Sequence, residues 1–134
     1  MLSREELIRE AFRAMNNAYA PYSLYHVGAA VLTDDGKVFL GANIENASFG
    51  ATNCAERSAV FSAYSNGYHK DRIKALAIVS DGDRIAAPCG ICRQVLCELI
   101  DHHTPIYLSN GREEKDTDID ELLPMQFSEE DVRR

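Results

Sequence analysis

No stretch of this sequence is both long enough and apolar enough to cross a bilayer. The opening residues, Met1-Leu2-Ser3-Arg4-Glu5-Glu6, carry charge where a signal peptide has its apolar run. A membrane role is thereby set aside, and a cytoplasmic location is expected. Positive charge is scarce as well. Lys and Arg number 14 against 21 Asp and Glu, giving a formal net charge of -7 and a pI near 5.0. Affinity for a phosphate backbone needs clustered Lys and Arg, so nucleic acid is not expected as a partner, and a small ligand or a protein is favoured. Internal repeats, low-complexity tracts and linkers are missing too, and residues 1–134 are expected to form one domain. The 46% of hydrophobic residues can fill one core. The four cysteines are expected as thiols in the cytosol, where metal binding or catalysis outranks a disulfide framework.

Ser3-Arg4-Glu5-Glu6 reads as a capping box ahead of Leu7, Ile8, Ala11, Phe12 and Met15, which recur at helical spacing. This first helix is expected to end near Tyr19, before Pro21. Val27 to Thr33 and Lys37 to Ala42 flank Asp34-Asp35-Gly36 and read as a β-hairpin. Asn43 to Asn53 is polar, without a clear period, and reads as a loop. Thr52 or Asn53 can cap a helix from Cys54 towards Asn66, closed by Gly67. Ile73 to Ser80 reads as a buried strand, and Asp81-Gly82-Asp83 as a turn. Pro88 opens a helix to about Ile100, Pro105 to Leu108 is a short strand, and Asp118 to Leu123 holds a last short helix. This order implies an α/β fold, a three-layer α/β/α sandwich with a central mixed sheet.

Two segments carry the chemistry: Cys54-Ala55-Glu56-Arg57 and Pro88-Cys89-Gly90-Ile91-Cys92-Arg93-Gln94. Cys89 and Cys92 share one helix face, and two thiolates there can grip a metal, for which zinc is the usual choice. Cys54 supplies a third ligand from the start of the other helix, where the helix N-terminus favours a thiolate. Cys97 as a fourth ligand would close the site into a purely structural one. It lies five residues past Cys92, about 140° round a helix of 3.6 residues per turn, and is expected to pack as a small hydrophobe. No His lies in either segment, and His26, His69, His102 and His103 read as surface or loop residues. Three thiolates leave a zinc dication net negative, which Arg57 and the two helix N-termini can offset. Glu56, two residues from Cys54, does not share its helix face and suits a non-ligand beside the metal.

The joint pattern C-A-E-R … P-C-x-x-C-R-Q resembles the zinc deaminase signature in its cysteine-only form. Together with Ala20 to Ser23 (APYS), Val27 to Ala30 (VGAA), Asn43 to Ala47 (NIENA) and Glu121 to Pro124 (ELLP) followed by Phe127, it makes the chain similar to the homotetrameric cytidine deaminases along nearly its whole length. That resemblance implies zinc-dependent hydrolysis of free cytidine and deoxycytidine to uridine and deoxyuridine in pyrimidine salvage. It implies one Zn²⁺ per subunit, held by Cys54, Cys89 and Cys92, with Arg57 compensating their charge. Glu56 is implied as the catalytic group. It takes a proton from the attacking water, passes it to the cytosine ring nitrogen, and acts again as ammonia leaves. Asn43 and Glu45, read as turn residues without the resemblance, match positions that bind the sugar, and backbone near Ala55 and Cys89 reads the base. Tyr25 stands where a Phe usually stacks on the pyrimidine, and Phe49 where a Tyr is common. The loop from Ala47 to Phe49 and the C-terminal Phe127 match segments that reach a neighbouring subunit's site, which implies a homotetramer with shared active sites.

Three other readings compete. A structural zinc module would use Cys97 and make Glu56 dispensable. A deaminase of a cytosine-containing antibiotic would share the zinc motif, but NIENA together with Arg57 fits the nucleoside enzyme better. An enzyme editing nucleic acid would need a basic surface to track the strand.

Overall fold

A computed structural model of the chain describes residues 1–133. Helix α1 covers Arg4–Met15 and has the expected capping box. The Ser3 hydroxyl accepts from the Glu6 N–H, and the Glu6 carboxylate accepts from the Ser3 N–H. It stops at Met15 rather than near Tyr19, because the chain turns at Asn16 and Asn17 and Tyr19 gives its N–H to the Asn43 carbonyl. Strands β1 (Val27–Thr33) and β2 (Val38–Ala42) form the hairpin around Gly36, whose φ of 87° suits a residue without a Cβ. Helix α2 (Ala55–Ser65) follows the loop, and Gly67, at φ 89°, closes it. Next come strand β3 (Ile73–Ser80), helix α3 (Gly90–Leu99), strands β4 (Ile106–Ser109) and β5 (Glu114–Thr117), and short helices α4 (Ile119–Leu122) and α5 (Glu129–Val132).

The strands lie in the order β2-β1-β3-β4-β5. All neighbours are antiparallel except β3 and β4, whose parallel pairing is bridged by α3. Alternate residues of the central strands serve opposite faces. Ala30, Leu32, Ala75, Ala77 and Val79 pack under Leu7, Ile8 and Ala11 of α1. Ala29, Val31, Leu76 and Ile78 face the other way, towards Ala59, Val60 and Ala63 of α2, Leu96 of α3 and Ile119 of α4. The expected three layers and mixed sheet are therefore present.

Strand β5 and helix α5 were not expected. The sequence of β5, Glu-Lys-Asp-Thr, has no apolar alternation because it forms an exposed sheet edge. Its acidic side chains instead hold α1, with Arg4 paired to Glu114 at 2.8 Å and to Asp116 at 2.7 Å. Strand β4 starts one residue later than expected. Pro105 has no N–H for the ladder, although its carbonyl accepts from the Leu76 N–H.

Two glycines let helices sit directly on the sheet. A Cβ on Gly28 would lie 2.1 Å from the Ala11 carbonyl oxygen, and one on Gly41 would lie 2.4 Å from the Ala55 oxygen and 2.5 Å from the Ala59 nitrogen. These are backbone atoms, so a methyl at either place lifts the whole helix. Gly28→Ala and Gly41→Ala are each expected to cost about 1–3 kcal/mol, the usual penalty for overpacking. Only Gly41→Ala displaces the first turn of α2, next to Cys54 and Glu56. Denaturant titration should therefore show both variants destabilised, and metal analysis of the folded fractions should show weakened zinc retention in Gly41→Ala alone.

Candidate metal centre and active cleft

Cys54 and Cys89 are the N-caps of α2 and α3, both with extended backbone (ψ 155° and 170°), and neither helix has a side-chain cap. Thr52 and Asn53 therefore do not cap α2. The Thr52 hydroxyl accepts from the Asn46 N–H, and the Asn53 amide donates to the Ser58 hydroxyl. Pro88 likewise precedes the cap of α3, and that helix begins at Gly90. The thiols thus occupy the places where capping oxygens usually sit, and both helix N-termini point at one spot. Cys92, one turn into α3, is fully buried and completes the group. The three sulfurs lie within 4.8 Å of one another, with Cys54–Cys89 at 3.9 Å and Cys89–Cys92 at 3.5 Å. Tetrahedral zinc binds thiolates at about 2.3 Å, which sets neighbouring sulfurs about 3.8 Å apart. The donor type and the spacing of the cluster suit that ion.

Cys97 is fully buried and is not part of the cluster. Its sulfur lies 3.8 Å from His102 Nε2, and His102 in turn bonds the Cys97 carbonyl oxygen at 2.9 Å. The other histidines also sit elsewhere: His26 pairs with Asp81 and His69 stacks on Tyr64.

Electrostatics follow from the crowding. The hydrogen bond with Cys92 draws the Cys54 thiol well below its usual range, aided by Arg57, while the same contact pushes Cys92 upward. Arg57 gives one N–H, from Nη2, to the Cys54 sulfur at 3.4 Å, and this bond strengthens its hold on its own proton. Its Nε is buried with no hydrogen-bond partner among the described residues. Glu56 is 5% exposed, and burial lifts its carboxyl to about 7.

A cleft of about 340 Å³ opens beside the sulfurs. Glu56, Cys54, Cys89, Ala55, Tyr25, Asn43 and Glu45 all line it, so most of the expected site residues meet in one place. The Glu45 carboxylate accepts from the N–H groups of Tyr22 and Ser23 at 3.0 and 3.1 Å and from the Ser23 hydroxyl. These bonds, the Ser23 hydroxyl first, hold its pKa below the usual carboxylate range. The Asn43 amide accepts from the Val27 N–H at 2.9 Å and donates to the Tyr25 carbonyl at 2.8 Å.

Ala47, Phe49 and Phe127 do not line this cleft. Phe49 meets Tyr22 edge-on at 6.2 Å in a neighbouring hollow, and the Phe127 carbonyl accepts from Gln94 at 2.7 Å. Both rings are largely exposed, at 76% and 62%. Sequence reasoning missed Ser23, Thr52, Ala86 and Ala87 as lining residues. Ser23 had a signal, its place in APYS, whereas the two alanines had none.

Comparison with known proteins agrees with the geometry. Residues 1–108 match the cytidine and deoxycytidylate deaminase zinc-binding region. The chain is 49% identical to a cytidine deaminase of Halalkalibacterium halodurans, over 98% of each chain. It is also similar to the crystal structure of a cytidine deaminase from Burkholderia pseudomallei, with a TM-score of 0.91 and 46% identity, covering 94% of this chain and 100% of that one. A blasticidin-S deaminase of Bacillus cereus is more distant, at 32% identity over 92% of this chain and 91% of its own.

The ligand set is tested by metal content. Cys97→Ala should keep one zinc per chain, while Cys89→Ala and Cys92→Ala should lose most of it. A Cys97→Ala protein that folds without zinc would mean that the site is closed by four cysteines.

Proposed function

The chain belongs to the cytidine and deoxycytidylate deaminase family, and we infer from this, and from a buried glutamate beside a three-cysteine zinc site, that it hydrolyses cytidine to uridine and ammonia. Zinc, when held by Cys54, Cys89 and Cys92, supplies Lewis acidity that makes water a nucleophile at neutral pH. The remaining work falls to side chains. A carboxyl lifted to about 7 can accept and return a proton near neutral pH. Glu56 takes a proton from the attacking water and delivers it to the cytosine ring nitrogen. The water oxygen bonds to the amino-bearing carbon, and Glu56 then moves that oxygen's remaining proton to the amino group, so that the C–N bond breaks and ammonia leaves. Burial helps this role, because a dry carboxyl is not levelled by bulk water.

Arg57 answers the surplus negative charge of three thiolates, and its hydrogen bond to Cys54 supports that role. The Tyr25 ring stacks on the base, and backbone groups near Ala55 and Cys89 read its edge. Asn43 and Glu45 bind the sugar. A carboxylate beside an amide suits a ribose hydroxyl pair, and each keeps hydrogen-bonding capacity beyond the bonds it already makes. The 3′ and 5′ hydroxyls are common to cytidine and deoxycytidine, and both nucleosides are read as substrates. The enzyme acts in the cytoplasm in pyrimidine salvage. It works as a homotetramer in which Ala47, Phe49 and Phe127 complete a neighbour's site, a reading supported by how exposed both rings are on the single chain.

Glu56→Gln should retain zinc and fold yet lose about 10²–10⁴-fold or more in turnover, as expected for a general acid–base group. Wild-type turnover in that variant would exclude the assigned role. Chains truncated after Pro124 keep Glu56 but lack Phe127. Co-expressed with Glu56→Gln chains, they should recover activity in mixed tetramers if sites are shared, and recover none if Phe127 serves only its own chain.

A further inference from the structure

The structure shows what accommodates the ring of Tyr25. A Cβ built on Gly82 would lie 2.7 Å from Tyr25 Cε1 and 3.5 Å from its Cζ and hydroxyl. The tyrosine ring therefore rests in the space that any other side chain at position 82 would fill. Gly82 is outside the left-handed region, so its backbone could be that of an alanine. Its lack of a side chain serves the ring and not the turn.

Neither partner can step back. The backbone of Tyr25 is fixed on both sides: its N–H donates to the Ser23 hydroxyl at 3.0 Å and its carbonyl accepts from Asn43 at 2.8 Å. The next residue is tied across to the β3 end, with the His26 N–H on Asp81 Oδ1 at 3.0 Å and the His26 ring on Asp81 Oδ2 at 2.6 Å. On the other side, the Gly82 carbonyl accepts from Asn110 at 3.2 Å, and Asp81 N–H donates to the His26 carbonyl at 3.2 Å. With both backbones held, the χ angles of Tyr25 are the free coordinates. The ring lines the active cleft on one side and the hollow of Gly82 to Ile85 on the other. A side chain at 82 turns the ring out of that hollow and changes the wall offered to the base.

We propose that Gly82 is a positioning residue for substrate binding, setting where the Tyr25 ring lies in the cleft, with the His26–Asp81 pair holding the two segments in register. The proposal rests on the reading that Tyr25 stacks on the base.

The test is a double-mutant cycle in the zinc-loaded full chain, with KM and kcat for cytidine measured separately. Gly82→Ala should raise KM about tenfold, as an off-rotamer ring at the binding face would, with kcat and zinc content little changed. In a Tyr25→Ala background the same substitution should have no further effect, because no ring is left to displace. An equal KM penalty from Gly82→Ala in both backgrounds overturns the proposal, and so does an unchanged KM in the single variant while Tyr25→Ala raises it. If Tyr25→Ala leaves KM unchanged, the stacking reading itself fails and the proposal falls with it. Should Gly82→Ala alone fail to fold, removal of the ring must rescue it. A double variant that also fails to fold shows that the methyl clashes elsewhere and overturns the proposal.

Discussion

Three cysteine sulfurs within 4.8 Å of one another can be thiolates together only if positive charge is brought to them. Much of this molecule serves that requirement. Zinc supplies two positive charges, one fewer than the ligands carry. Arg57 donates to Cys54, and α2 and α3 both begin at a ligand, so two helix N-termini add their partial charge. The absence of side-chain caps on these helices has the same origin, since the cap position is where a ligand must be. Glu56 is buried beside this group of sulfurs. Burial first, and the neighbouring Cys54 charge second, lift its carboxyl to about 7, where it can both accept and return a proton.

The sheet determines where these charges meet. Val27 pairs with Ser80 and Gly28 with Ala42, so the start of β1 and the ends of β2 and β3 lie at one end of the sheet. The residues that leave that end are Tyr25, Asn43 and the Asp81–Gly82 turn. Tyr25 and Asn43 line the cleft together with Cys54, Glu56 and Cys89, and Gly82 lies in the hollow on the other side of the Tyr25 ring. The close seating of α2 on Gly41 brings Cys54 and Glu56 to this end as one unit.

The chemistry was far more legible in the sequence than the cleft around it. Cys54, Cys89 and Cys92 announce themselves by residue type and spacing, and Cys97 could be set apart by helix geometry alone. Central strands such as Ile73–Ser80 were legible because both faces are buried from Ala75 onward and Ala75 to Val79 is an unbroken apolar run. Strand β5 was not, because its side chains meet solvent or charged groups, among them Arg4 and Glu121, which leave no apolar signature. Asn43 and Glu45 read as turn residues until a family resemblance is invoked, since their role depends on contacts to Ser23, Val27 and Tyr25 made only after folding. Gly82 is the extreme case. It looks like an ordinary turn glycine, and only the position of a ring from 57 residues earlier shows otherwise.

The most direct measurement is product analysis with the purified, zinc-loaded protein and cytidine. Uridine and ammonia should appear in equal amounts, at a rate proportional to zinc content and lost when zinc is removed by chelation. A fully zinc-loaded, folded protein that forms neither product from cytidine would contradict the assignment of this cleft.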